Sequence, residues 1–285
     1  MLKKNLPSIF EFNRVLKTKI MTKINKKIIW VTGASSGIGE ALVYQLHQLG
    51  AKLILSARRV NELERVKNAC TQNSEVHLLT LDLSEAETLE DKCKHALTLM
   101  GPIDLIIHCG GISQRDKVMN TSLAVDRQIM EVNYFGTVAL SKFLLPSMVT
   151  RKQGHHVIIT SVTGIISTPL RSAYAASKHA LHGFFDALRA EHEKDNIHVS
   201  LICPGYIKTK ISFNALMGDG SKQNTMDKAQ DNGMSPQRCA SKIIRAIEQN
   251  KNEVYIGGFK EVAGIYLKRF FPNLFAKVVI KMAVT

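Results

Sequence analysis

Ile28-Ile29-Trp30-Val31-Thr32, running directly into Gly33-Ala34-Ser35-Ser36-Gly37-Ile38-Gly39, is the stretch that decides the fold. An unbroken run of apolar and β-branched residues suits a strand covered on both faces. Glycines behind it allow a sharp turn and a close approach of backbone N–H groups to a ligand. Gly37 to Leu49 then carries helical periodicity, stopped by Gly50. Strand, glycine turn and helix N-terminus in that order cradle a pyrophosphate, because unpaired amides and the helix dipole both favour an anion. The spacing is Gly-x-x-x-Gly-x-Gly, not Gly-x-Gly-x-x-Gly. The candidate phosphate-facing residues are Gly33, Ser35, Ser36, Gly37, Ile38 and Gly39.

Outward from that turn, short apolar runs alternate with helical patterns. Strands are predicted over 52–57, 76–81, 103–108, 155–161, 197–203 and 253–257. Helices are predicted over 60–71, 84–100, 122–149 (one or two), 172–195 and 236–250, with Ser84 and Glu87 at capping-box spacing. This rhythm means βαβ units and a parallel sheet. The expected fold is α/β: a single doubly wound, Rossmann-type domain over residues 26–258, with about seven parallel strands and helices on both faces. The polar stretch 205–235 breaks the rhythm, and a loop of that length in a compact domain usually serves a ligand.

The chain has 285 residues, 45% hydrophobic and 22% charged, which excludes a disordered, collagen-like or coiled-coil chain. Its net charge of +14 is concentrated at the ends, with +7 in residues 1–27, +4 in 259–285 and +3 in the body between. Basic ends on a near-neutral body argue against a nucleic-acid partner; they serve solubility or touch an anionic surface such as a membrane. Residues 1–25 read as a dispensable basic extension, with Met21 an alternative start and 1–20 weakly ordered or a peripheral helix. Five dispersed cysteines without Cys-x-x-Cys, and no metal-ligand set, point to reduced thiols in a cytoplasmic protein. His155-His156 lacks a third ligand, and His179 and His182 read as packing or surface residues.

Two further clusters carry chemistry. The second strand ends Ser56-Ala57-Arg58-Arg59, without the carboxylate that would bond a ribose 2′-hydroxyl. Guanidiniums there pair with a 2′-phosphate, so NADP is favoured over NAD, with Arg58 the better contact than Arg59. Tyr174 and Lys178 stand four apart on one helix face. A free phenol has a pKa of about 10, and a nearby cation lowers it towards useful acid–base range. Ser161, at the carboxyl end of a strand, stands where such sheets place ligands.

Together with Asp82-Leu83, Asn133 in Val132-Asn133-Tyr134-Phe135-Gly136, and Pro204-Gly205 after the sixth strand, these motifs resemble the short-chain dehydrogenase/reductase family over residues 26–258. Pro204-Gly205-Tyr206-Ile207-Lys208-Thr209 with Asp219-Gly220-Ser221 resembles the branch of the 11β-hydroxysteroid-dehydrogenase-like and dehydrogenase/reductase-7-like proteins. The resemblance implies that Tyr174 exchanges a proton with the substrate oxygen and that Ser161 hydrogen-bonds that oxygen. It implies that Lys178 lowers the Tyr174 pKa and holds the nicotinamide ribose, and that Asn133 holds a relay water. Ile207 and Thr209 would meet the carboxamide, and Asp82 and Leu83 the adenine, Asp82 also serving as a cap with Ser84. The family's Asn-Asn-Ala-Gly is replaced by His108-Cys109-Gly110-Gly111. Gly110 keeps the close approach to adenosine, while His108 and Cys109 read as structural, His108 replacing some of the lost strand-to-strand hydrogen bonds.

The activity implied is NADP(H)-dependent interconversion of a carbonyl and an alcohol on a medium-sized hydrophobic substrate. Phe213, Leu216, Met217 and Met226 are expected to form an apolar lid. Alternatives are a 3-oxoacyl-carrier-protein reductase, with Lys208, Lys210 and Lys222 meeting the carrier, and a catalytically idle cofactor-bound scaffold or sensor. Helices 122–149 and 172–195 are natural faces for a homodimer or homotetramer by the same resemblance. Residues 259–285 alternate apolar and basic side chains around Pro272, and suit either a membrane surface or packing on the body.

Overall fold

The computed structural model describes residues 22–70 and 75–280, so the expectations for residues 1–20 lie outside it. Among the described residues, seven strands form one sheet: β1 (Ile28–Thr32), β2 (Lys52–Ser56), β3 (Val76–Leu78), β4 (Leu105–His108), β5 (Gly154–Ile159), β6 (Ile197–Pro204) and β7 (Glu253–Ile256). The order is β3-β2-β1-β4-β5-β6-β7 and every described pairing is parallel. The chain order reverses between β1 and β4. At such a switch point the loops leaving the carboxyl ends diverge and open a crevice for a ligand.

Nine helices of eight or more residues are described: α1 (Gly37–Gln48), α2 (Val60–Asn68), α3 (Leu89–Met100), α4 (Leu123–Met130), α5 (Gly136–Arg151), α6 (Ser172–Glu191), α7 (Pro236–Glu248), α8 (Phe259–Phe270) and α9 (Pro272–Val279). Leu42, Leu46, Ile243 and Ile247 of α1 and α7 pack with Val31, Leu53 and Leu55 on one face of the sheet. Leu89, Leu140, Leu144, Leu181 and Phe185 of α3, α5 and α6 pack with Trp30, Ile54, Ile106 and Ile158 on the other. Burying a side chain of this kind stabilises by about 1.5–3 kcal/mol, so the two apolar layers supply most of the driving force.

Several elements differ from the sequence reading. The predicted 122–149 helix is α4 and α5 joined by a π-helical turn, Glu131–Phe135, which carries Asn133. The capping box does not form: Ser84 turns back, its N–H and hydroxyl both donating to Asp82 Oδ1 at 3.0 and 2.7 Å. A short 3-10 turn, Ala86–Thr88, follows, and α3 begins only at Leu89. Strand β3 ends at Leu78 rather than Leu81, although Leu79 and Leu81 N–H groups still bond the Leu55 and Ala57 carbonyls. The 205–235 stretch is tied down by bridges between Ile207 and Met234 and between Leu216 and Lys222, and by a single helical turn at Lys228–Asp231. The tail folds as the helical hairpin α8–α9, with Pro272 at the first position of α9, where its missing N–H costs nothing.

Candidate active site

The glycine turn between β1 and α1 is shaped by what a side chain would hit. Gly33 and Gly37 have φ of 66° and 60°, a region only glycine adopts freely. A Cβ on Gly33 would lie 2.7 Å from the Gly110 nitrogen, and one on Gly39 would collide with the Gly33 carbonyl. Ser36, the residue before α1, makes no side-chain cap, so it does not spend its hydroxyl on the first-turn amides. An open cradle of uncapped amides at a helix N-terminus fits a pyrophosphate, which answers to a dinucleotide. Leu83 abuts both Gly110 and Gly136, which brings the Asp82-Leu83 segment beside the turn after β4.

Arg58 and Arg59 are exposed beyond the end of β2. Arg65 of α2 bonds Glu40 at 2.7 Å and reaches the Ser35 carbonyl at 3.4 Å, bracing the phosphate turn. Its signal in the sequence is weak: a cation one strand and one helix away from the turn it supports.

The altered turn after β4 is held differently from the expectation. Thr32 Oγ1 accepts the Cys109 and Gly110 N–H groups, each at 3.2 Å, tying β1 to the turn. His108 bonds Ser141 of α5 through Nε2 at 2.9 Å, not a neighbouring strand, and its ring stacks on His156 with centroids 6.1 Å apart. The Cys109 thiol is pushed up to about 12 by burial, as are Cys203 and Cys239, which removes them as nucleophiles near neutrality.

Ser161 and Tyr174 meet at the carboxyl edge of β5. The strand stops at Ile159, and Ser161 caps the next turn, accepting from the Thr163 N–H at 3.1 Å and the Thr163 hydroxyl at 2.8 Å. Tyr174, in the first turn of α6, hydrogen-bonds Ser161. Lys178, one turn further on, donates to the Ile159 carbonyl at 2.9 Å, with its Nζ 5.7 Å from the Tyr174 ring centre. Burial pushes its ammonium down to about 8. Gly111 brings Asn133 alongside: a Cβ there would lie 3.0 Å from Asn133 Oδ1 and 3.7 Å from Lys178 Nζ. Asn133 accepts the Ile112 N–H at 2.8 Å and donates to the Ile112 carbonyl at 2.9 Å and Ser177 at 3.0 Å. Its amide is therefore partnered by protein on both sides, and it pins the β4 turn to α6 beside Lys178.

The charges around Tyr174 depart from the expected pair. Burial pushes the phenol above its ordinary value; Ser161's hydrogen bond and the guanidiniums of Arg171 and Arg115 pull it back. Both arginines line the cleft with Ser161 and Tyr174, and both converge on Asp227 Oδ2: Arg115 Nε at 2.8 Å, Arg171 at 3.2 Å. All three are buried. None was singled out from the sequence, although Arg171 precedes Tyr174 by three residues, the same one-turn logic that selects Lys178.

Ile38, Pro204, Gly205, Ile207 and Thr209 line the same cleft, so the cofactor turn and the catalytic candidates open on one space. The expected lid does not. Among the described residues the wall is made by Tyr206, Ile207, Thr209, Ile211 and Gln230, not by Phe213, Leu216, Met217 or Met226. The reason is local: Phe213 points to solvent, Leu216 pairs its backbone with Ser113 and Arg115, and Met226 takes a hydrogen bond from Ser212. Ile166 and Glu261 close the side nearest α8.

This geometry has close counterparts. A family profile described as short chain dehydrogenase matches residues 27–217. A dehydrogenase/reductase SDR family protein 7-like from Anopheles gambiae is 44% identical over 266 residues, covering 91% of this chain and 84% of its own. A dehydrogenase/reductase SDR family member 7 from Homo sapiens is 43% identical over 257 residues, covering 88% and 76%. Among solved structures, a short chain dehydrogenase/reductase from Burkholderia phymatum in complex with NAD superposes with a TM-score of 0.79 at 22% identity, covering 89% of this chain and 96% of that one. A short chain dehydrogenase from Burkholderia cenocepacia in complex with NADP does so with a TM-score of 0.73 at 22% identity, covering 90% and 99%. Glycine cradle, reversed strand order and extended similarity together make this chain a member of the short-chain dehydrogenase/reductase family, in the branch of the dehydrogenase/reductase 7-like proteins.

Proposed function

We propose that the protein is an NADP(H)-dependent oxidoreductase that interconverts a carbonyl and an alcohol on a medium-sized hydrophobic substrate. The observation that carries this reading is the meeting of the Ser161 and Tyr174 hydroxyls, with Lys178 beside them, in the cleft that the glycine turn opens onto. Gly33, Ser35 to Gly39, Gly110, Asp82 and Leu83 would hold the dinucleotide, and Arg58 its 2′-phosphate. The bound nicotinamide supplies or accepts the hydride.

The chain's own part is to bind the substrate oxygen and manage its proton. Ser161 donates to that oxygen and Tyr174 delivers the proton to it, or removes it in the reverse direction. Lys178, held at the Ile159 carbonyl, would bind the ribose side of the cofactor and keep an ammonium proton close to Tyr174, while Asn133 fixes the turn beside it. Ile166, Ile207 and Ile211 give the cleft an apolar wall suited to a hydrophobic ketone. Lys208, a candidate contact for an acyl carrier, faces Asp231 at 3.0 Å, which reduces its availability for an acidic partner. Purified protein tested against a panel of hydrophobic ketones and their alcohols should consume NADPH in preference to NADH. A panel that includes acyl-carrier thioesters and leaves both cofactors untouched sinks the reading.

A further inference from the structure

Glu261 stands in the first turn of α8 and lines the cleft. Ile265, one turn further along the same face, packs with Val162 and Ile166 of the segment after β5. Gly264 fits tightly there: a Cβ on it would lie 3.1 Å from Ile166 Cδ1. Lys268 adds a bond to the Ile165 carbonyl. The helix is thereby fixed against the segment that follows Ser161, and the acid is fixed with it. Three glycines leave room for its carboxylate. A Cβ on Gly205 would lie 2.8 Å from Oε1, one on Gly258 2.6 Å from Oε2, and one on Gly257 3.3 Å from the Glu261 Cβ. Ser161 Oγ donates to the Pro204 carbonyl at 3.4 Å, and Gly205 is the next residue, so both side chains serve one strand end.

Glu261 is the single acid among the residues that line the cleft. It forms no ion pair among the described residues, because the cleft's two arginines are both turned on Asp227. Its hydrogen bond from the protein is the Tyr206 N–H at 3.4 Å. A carboxylate placed so, beside Ile166, Ile207 and Ile211, takes a donor from whatever fills the cleft. Two observations decide which donor. Arg115 and Arg171 share one carboxylate, and Lys178 stands beside Tyr174, so the cleft repels an ammonium. Thr168 lines the same cleft, two residues from Ile166, and its buried Oγ1 has no hydrogen-bond partner among the described residues. A hydroxyl both donates and accepts, which suits a carboxylate and an orphaned Oγ1 together. An ammonium only donates, and a ligand carboxylate only accepts.

We propose that Glu261 is a specificity-determining residue of the cleft, accepting a hydrogen bond from a second hydroxyl on a hydrophobic ketone or alcohol. This deepens the oxidoreductase reading and rests on it for the reacting carbonyl alone; recognition of the hydroxyl is measured without turnover. A carboxylate in a first turn also answers to the helix dipole. That role is blind to the ligand and moves no ratio between two ligands.

The test is isothermal titration of the full-length chain with 1-tetralone and with each of its ring-hydroxylated isomers. The best isomer should bind about tenfold tighter than 1-tetralone. Glu261→Leu should bring that ratio close to one. Glu261→Gln, whose amide oxygen still accepts, should reduce it about threefold, as should Thr168→Val. Absence of a preferred hydroxyl isomer overturns the proposal, and so does a preference that survives Glu261→Leu. Tighter binding of a 1-tetralone carrying an aminomethyl group in the hydroxyl's place overturns it as well, by assigning the carboxylate to a cation. A preference lost in Glu261→Leu, in a protein that reduces none of these ketones with either dinucleotide, upholds the hydroxyl site and removes the oxidoreductase reading instead.

Discussion

The two halves of the sheet are built from different materials. Around β1–β3 the interior is mostly apolar, with Thr32 and Ser56 as buried exceptions, and the cradle is made by backbone: Gly33, Gly37 and Gly39 leave room, and uncapped amides face it. Around β4–β6 the interior carries His108, His155, His156, Thr160 and Ser200, and the site is made by side chains, with Arg115, Arg171 and Asp227 buried against one another. A void shaped by missing side chains is cheap to keep. Buried polar groups must each find partners or lose about 1–3 kcal/mol apiece. The cofactor half is thus specified locally, and the substrate half by distant segments meeting.

The largest expected effect falls where the halves join. Tyr174→Phe keeps the ring's packing and removes the proposed proton carrier, so activity should drop by roughly a hundred- to ten-thousandfold while dinucleotide binding persists. Steady-state rates with cofactor titration by fluorescence check this; a variant that keeps a tenth of the activity removes Tyr174 from the chemistry.

Acidification should strike the β4–β6 half first. Burial lowers His155 to about 3 and His156 to about 4, and lowers His108 well below its ordinary value. These rings stay neutral when folded but take protons when unfolded, at a pKa of about 6.5. Stability is full above that pH and is lost as pH falls towards 4. Each group contributes a slope of up to about 1.4 kcal/mol per pH unit. His156→Leu should move the midpoint of acid unfolding to lower pH. An unchanged midpoint, followed by circular dichroism, shows that the buried histidines do not set the acid limit.

The cofactor half responds through charge at its edge. Arg58→Ala should raise the KM for NADPH roughly tenfold and leave that for NADH nearly unchanged, because a guanidinium pairs strongly with a phosphate and weakly with a hydroxyl. Equal changes for both cofactors contradict the assignment of the 2′-phosphate to Arg58.

The same contrast decides what could be read from the sequence. The strand–turn–helix at residues 28–49 was legible because every residue that shapes it is contiguous. That Tyr174 and Lys178 share one helix was legible because a single turn sets their spacing. Arg115, Arg171 and Asp227 were not, since 112 residues separate the first from the carboxylate it grips and no local period links them. The lid failed for a related reason: apolar side chains at 213, 216, 217 and 226 looked like a wall, but the backbone bridges at Leu216 and Ile207 decide which ones face the cleft. Asn133 was expected to hold a relay water, whereas its π-helical turn and full set of protein partners depend on the Ile112 backbone, which no local pattern announces.

The smallest effect tests whether that buried triad acts on the chemistry or only holds the fold. Arg115 and Arg171 favour the Tyr174 phenolate, and Asp227 balances them. Removing a cation makes the phenol harder to ionise, whereas removing the carboxylate's charge leaves two cations unbalanced and makes it easier. In the proposed reaction, alcohol oxidation needs the ionised phenol, so its rate should rise with pH through that ionisation. Arg115→Gln should therefore move the rising limb of kcat/KM to higher pH, and Asp227→Asn to lower pH, each by about one unit at an effective dielectric near 20. Both variants break the same ion pair, so damage to the fold alone would lower both rates and leave the limbs together. Opposite displacements can come only from charge acting on the proton-transfer group, and coincident limbs would reduce the triad to scaffolding for the 205–235 segment.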